Sequence, residues 1–253
     1  MQLLQSLFVW IHVSAGFIGL VAFWIPVLTR KGGKLHKRFG KIFKYCAYVV
    51  LLAAFLAVLL RMPQMIQTNF DDQYEVNVLS FYVFLSYLIL VVSIGLRHGF
   101  AVLKHKSDIT ELNTGLNNAL ANISMLASGI IIVYAIIVSP ANQILLYALS
   151  PIGIFTGLDI KTAIRNKHQY KKTWLYEHLS ALLVSGVAFH TAFAVFGAGQ
   201  IFNLSFSGFT QVIPWITPAL IGIPAISIWT RIYKKKYSDF GAVETKTKVA
   251  NES

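Results

Sequence analysis

Cysteine is nearly absent from this chain: Cys46 is the only one in 253 residues. No intrachain disulfide and no multi-cysteine metal site can form, and a lone thiol reads as an ordinary buried core side chain. Acidic residues are scarce as well, ten against 22 lysines and arginines, which leaves a formal charge of +12. Soluble catalytic signatures are missing: there is no Walker loop, no dinucleotide glycine fingerprint, no G-x-S-x-G elbow and no H-E-x-x-H. The N-terminus, Met1 to Ser6, lacks a basic region ahead of its apolar stretch. That argues against a cleaved signal peptide and for a retained first span.

What is present is apolar sequence, 56% of the chain, with charged residues at only 13%. A soluble domain of this length is seldom so apolar. Every lysine and arginine except Arg61 falls in one of four clusters: Arg30 to Lys44, Arg97 to Lys106, Lys161 to Lys172, and Arg231 onward. The intervening segments Asp71 to Glu75, Ser139 to Gln143 and Gln200 to Thr210 contain neither residue. Cytoplasmic loops retain positive charge, so the alternation fixes a topology. The basic balance therefore belongs to a membrane protein and not to a nucleic-acid binder. Its expected partners include anionic lipids on the cytoplasmic side, where each lysine or arginine near the surface is worth about 1 kcal/mol.

A span needs about 20 apolar residues. The candidates are Leu4 to Thr29; Ile42 to Ile66, with an amphipathic start from Lys34; Val76 to Leu96; Leu116 to Val138; Ile144 to Ile160; Trp174 to Ala198; and Val212 to Tyr233. The fifth is short and is interrupted by Ser150-Pro151. If it were re-entrant, the cluster from Lys161 to Lys172 would face outward against the charge rule, so seven spans are kept. The expected fold is all-α, a polytopic transmembrane bundle of seven helices with its N-terminus outside and its C-terminus cytoplasmic. Residues 1–237 form a single transmembrane domain, and 238–253 a polar, disordered cytoplasmic tail. Pro214, Pro218 and Pro224 predict a kinked seventh helix.

Ionisable groups at membrane depth are costly and mark functional candidates. His12 in span one and His190 in span six each lie about eight residues from the outer end of their span, roughly 12 Å deep. His178 lies just inside the start of span six, level with His36 at the entry of span two. The four sort into an outer pair, His12 with His190, and an inner pair, His36 with His178. Imidazole pairs between helices are the usual axial ligands of b-type haem and suit electron transfer. His178 and His190 are about 18 Å apart along a helix and about 120° apart around it, which fits two haems but not one straight stack. Arg61 can pair with a haem propionate; the plainer reading has it snorkelling to meet Asp71, Asp72 or Glu75. His98, His105 and His168 fall in basic loops and read as solvated or lipid-facing. Asp159, Glu177, His36 and His178 are zinc ligands by type, but their spacing matches no metal motif, so no metal site is assigned.

Span four carries Asn117, Asn118, Asn122, Ser124 and Ser128. Asn118 and Asn122 lie one turn apart, with Met125 and Gly129 continuing the stripe. This is either a polar seam that joins helices or a substrate-binding lining for a quinone, a lipid or a small polar solute.

Three stretches carry a resemblance. They are His12-Val-Ser-Ala-Gly16, then Lys31-Gly-Gly-Lys-Leu-His36-Lys-Arg-Phe-Gly40, and Trp174-Leu-Tyr-Glu-His178 continuing to His190-Thr-Ala-Phe193. Together they resemble a group of bacterial multi-pass proteins known only as predicted membrane proteins of unknown function. The resemblance covers three of the seven spans and implies a bacterial cytoplasmic-membrane location without bringing any catalytic residue. The layout of histidines near each face is similar to that of cytochrome b561-type proteins, although their order along the chain departs from that pattern. The expected activity is a haem b-binding or quinone-linked transmembrane redox protein. The alternative is a transporter or small-molecule-binding protein with a histidine- and asparagine-lined cavity. The sequence does not say whether the protein is an enzyme.

Overall fold

The computed structural model describes residues 2–165, 170–203, 210 and 212–239. Those residues form helices and no strand: α1 (Gln2–Leu28), α2 (Lys34–Leu59), α3 (Met62–Ile66), α4 (Gln73–Ala101), α5 (Gly115–Val138), α6 (Gln143–Leu149), α7 (Pro151–Arg165), α8 (Thr173–Ala192), α9 (Gly199–Ile201) and α10 (Ile213–Lys236). Two 3-10 turns, Val102–Lys104 and Ile109–Leu112, lie between α4 and α5, and a π-helical stretch, Phe193–Ala198, follows α8. Seven helical segments are long and apolar enough to cross a membrane: Leu3–Leu28, Lys34–Leu59, Gln73–Lys104, Gly115–Val138, Gln143–Arg165, Thr173–Ala198 and Ile213–Lys236. The chain divides into two compact units, Met1–Ser93 with Ala127–Pro151, and Ile94–Leu126 with Ile152–Ser253. The tail expected to be disordered lies, from residue 240 onward, outside the described residues, as does His168.

In the first unit α1 and α2 pack as an antiparallel pair, with Phe23 against Phe43 (centroids 5.5 Å apart) near the connecting turn. The basic turn between them is built for tightness. Gly32 takes φ +77°, where a side chain would be strained, and Gly33 N–H donates to the Arg30 carbonyl at 3.0 Å. Lys31 Nζ donates to the Pro26 and Val27 carbonyls, both at 2.8 Å, closing the orphaned end of α1. Burial holds that ammonium below the usual lysine range. The second span ends at Leu59, seven residues short of the expected Ile66. Pro63 has no N–H for the Leu59 carbonyl and its ring crowds that carbonyl, so α2 stops at Leu59 and, after the turn at Leu60 and Arg61, the chain restarts as α3 with Pro63 in its first turn.

The fifth span, Gln143–Arg165, is made of two helices, α6 and α7, that meet at Ser150-Pro151, where an interruption was expected. Pro151 cannot donate to the Tyr147 carbonyl, but Ser150 Oγ does so at 3.0 Å, and Ser150 N–H keeps its bond to Leu146. Tyr87 OH supports the same junction by donating to the Ser150 carbonyl at 2.7 Å. Serine beside proline thus bridges α6 to α7 with most of the backbone bonding kept.

The second unit has an apolar core of Ile94, Val102, Ile109, Leu112, Ala121, Ile160, Ala163 and Ile164. Close backbone approach depends on two glycines. A Cβ at Gly99 would sit 2.6 Å from Ala181 Cβ, and one at Gly157 would overlap Met125 and the Ala121 carbonyl. The helix α10 packs on α8, where Gly222 faces Val187 with no room for a side chain.

Candidate functional site

The four membrane histidines singled out from sequence share one local arrangement. In the first unit His12 Nδ1 lies 3.0 Å from the Val50 carbonyl, and His36 Nδ1 lies 3.1 Å from the Pro26 carbonyl. In the second unit His178 Nδ1 lies 2.7 Å from the Gly99 carbonyl, and His190 Nδ1 lies 2.7 Å from the Gly186 carbonyl one turn back. A carbonyl oxygen only accepts, so Nδ1 is the donor in each case. In the neutral ring the lone pair then belongs to Nε2. His12 and His36 tie α1 to α2, and His178 ties α8 to α4 with its ring edge-on to Phe100 at 5.9 Å. All four are half-buried.

The strongest chemistry in the second unit centres on a histidine the sequence reading passed over. His98 is not in a solvated loop: α4 continues to Ala101, and His98 is only 5% exposed. Val91, Ile94, His98 and Val102 are all buried, at spacings of three and four that place them on one helical face. That spacing was the signal available in the sequence. His98 Nε2 makes no hydrogen bond and faces Glu177 Oε2 at 3.5 Å, an ion-pair distance. Glu177 retains 25% side-chain exposure, and Asp159 on α7 is exposed and within Coulombic reach of both groups. The three groups thus run from an exposed carboxylate through a half-buried one to a buried imidazole.

The neighbouring residues lock this arrangement. Next to His98, Arg97 Nη1 donates to Asn117 Oδ1 at 2.6 Å, while Asn117 Nδ2 donates to the Leu112 carbonyl at 2.7 Å. On the other side Gly99 offers its carbonyl to His178 and its missing side chain to Ala181 and Leu182. Consecutive residues of α4 therefore engage α5, then α8, then α8 again. Chemically, His98 and Glu177 can share one mobile proton, as imidazolium beside carboxylate or as imidazole beside carboxylic acid. Charged groups reach His98 from α8 (Glu177) and α7 (Asp159), with Arg97 adjacent on its own helix.

Other expected site residues make local contacts. Arg61 lies beyond the end of α2 and donates to Gln64 Oε1 at 2.7 Å, while Glu75 accepts from the Asn69 amide and Asp72 from the Tyr74 amide. Asn118 donates to Asn113 Oδ1 and the Thr114 carbonyl, a local cap, and Asn122 is exposed. The buried stripe of α5 is Asn117, Ala121, Ser124, Ser128, Ile131 and Ala135, not 118, 122, 125 and 129. It is fixed by specific partners, with Ser124 Oγ donating to the Gly153 carbonyl at 2.6 Å and Ser128 sharing a bond with Tyr87 OH at 3.2 Å. Cys46 is half-buried and lines an apolar surface groove between α1 and α2 with Trp10, Ala15, Ile18 and Tyr45, instead of sitting in the core. Among the described residues no group of three or more His, Cys, Asp or Glu is gathered as a metal ion would require.

Set against protein-family models, curated proteins and solved structures, the chain gives no match.

Proposed function

We propose that this chain is a multi-pass protein of a bacterial cytoplasmic membrane that binds and passes protons at its cytoplasmic end, in the manner of a proton-linked small-solute transporter. The charge alternation supports seven crossings with the N-terminus outside and the C-terminus inside. The same topology puts the lysine-rich turns against anionic lipid headgroups and the His98 cluster near the cytoplasmic face. The observation that carries the reading is the buried imidazole of His98 facing Glu177 at 3.5 Å, with Asp159 in reach. Ionisable groups in a membrane helix are costly, and chains of Asp, Glu and His there serve as proton relays. Purified protein in vesicles enclosing a pH-sensitive dye tests it. Proton movement driven by an imposed potential should be present in wild type and lost in His98→Gln and Glu177→Gln. Movement equal to that of empty vesicles, or unchanged in both variants, rejects the reading.

A second reading, transmembrane redox with a b-type haem and a quinone partner, draws support from His12 and His190. Each commits Nδ1 to a backbone carbonyl, so the lone pair of the neutral ring belongs to Nε2, the atom type that ligates haem iron. Bound haem would supply a one-electron carrier, with His12 or His190 as a ligand. A Soret band in protein from haem-replete cells, lost in His12→Ala and His190→Ala, is the expected signature. A colourless preparation rejects it.

A further inference from the structure

The helix α10 does not simply run out at the membrane surface. Tyr237 N–H bonds the Tyr233 carbonyl at 3.1 Å, Ser238 N–H the Lys235 carbonyl at 3.1 Å, and Asp239 N–H the Lys234 carbonyl at 2.9 Å. The last two form the six-to-one and five-to-two pattern of a Schellman termination, with Ser238 in the left-handed position at φ +47° where glycine is usual. A strained serine held there indicates that its surroundings fix it. The turn delivers Asp239, 2% exposed, to the start of α8. Its Oδ1 accepts from the Lys171 amide at 2.8 Å, and its Oδ2 accepts from the Lys172 amide at 2.8 Å and from Tyr176 OH at 2.9 Å.

Two cation–aromatic contacts brace the junction. Lys172 Nζ lies 3.4 Å from the centre of the Tyr237 ring, and Lys234 Nζ lies 3.6 Å from that of Tyr170. The carboxylate therefore acts as a cap supplied from more than sixty residues away, where α8 offers no capping side chain of its own at Lys172. Tyr176, pinned by that carboxylate, directly precedes Glu177.

We infer that Asp239 is a positioning residue: by pinning the first turn of α8 it sets the register at which Glu177 meets His98. The inference rests on the reading of His98 and Glu177 as a proton site. It gives a functional meaning to the end of α10, a segment that carries none of the reacting groups.

The test uses the full chain in lipid nanodiscs with ¹⁵N-labelled histidine, the His98 signal being identified by its loss in His98→Gln. Glu177→Gln should shift the His98 ring ¹⁵N signals, because the carboxylate faces Nε2 at 3.5 Å. In an Asp239→Asn background the same substitution should shift them by less than about one third as much, because the carboxylate is then no longer held at the imidazole. Amide exchange in the first turn of α8 should also quicken by about tenfold, the scale of a lost cap. If exchange quickens but the Glu177→Gln effect stays at its full size, Asp239 is a cap only; the inference is overturned and the proton-site reading stands. If Glu177→Gln leaves His98 unmoved in wild type, both fall. Tyr176→Phe, which removes one of the three contacts to Asp239, carries the same comparison if Asp239→Asn does not fold.

Discussion

Gly99→Ala is the sharpest structural perturbation of the site, because one methyl group meets the interface that holds it. A Cβ at Gly99 would lie 2.6 Å from Ala181 Cβ and 3.0 Å from Leu182 Cδ2. Carbon atoms pack at about 3.5–4.0 Å, so α4 and α8 must part locally by roughly 1 Å. The bond from His178 to the Gly99 carbonyl, 2.7 Å in the native arrangement, would then stretch to about 3.7 Å, beyond hydrogen-bonding range. Overpacking of this kind costs about 1–3 kcal/mol, and the lost bond adds about 1 kcal/mol. Gly129→Ala is the matched control. Gly129 also sits within a helix, but a Cβ there meets nothing within 4 Å, so the substitution should stabilise by about 0.5–1 kcal/mol through the backbone alone. Equilibrium unfolding in mixed micelles by graded addition of a denaturing detergent reads both. Opposite signs are expected. A Gly99→Ala protein as stable as wild type would refute the close α4–α8 approach on which the site depends.

Further outcomes follow from the same reasoning. Ser150→Ala should destabilise by about 1 kcal/mol, since the Tyr147 carbonyl loses the donor that replaces the missing proline N–H; no change in the same unfolding assay would argue against this bridge between α6 and α7. Gly32→Ala should cost about 1 kcal/mol, because φ +77° suits glycine alone, while Lys34→Ala at the start of α2 serves as a comparison with no such constraint. Lys31→Met should loosen the end of α1 by removing two donors, read as faster amide exchange across Val27 to Lys31. In vesicles, Asp159→Asn should slow proton entry without abolishing it, since Asp159 is the most exposed of the three groups; complete loss would show that it binds the transferred proton itself.

The spans were legible in the sequence because apolar length and clustered basic charge are both carried by composition, which no tertiary contact alters. What escaped were features set by a single residue or by distant pairs. His98 was missed because the third span was expected to stop at Leu96, whereas α4 runs on to Ala101 and brings His98 onto the buried face. The polar stripe of α5 was placed one residue late, and at 100° per residue that error turns a buried seam into an exposed one; Asn117, not Asn118, meets Arg97. Ser150-Pro151 was legible as the boundary between α6 and α7, but the serine's bond to the Tyr147 carbonyl, which bridges them, appears only in three dimensions. Asp239 carried no local signal at all, since its partners lie 63 to 68 residues earlier in the chain.

The central claim, a proton shared between His98 and Glu177, is tested most directly by infrared difference spectra of the protein in lipid between acidic and neutral pH. The account predicts a carboxylic-acid carbonyl band that is absent in Glu177→Gln and altered in His98→Gln. A spectrum identical in wild type and Glu177→Gln would contradict it.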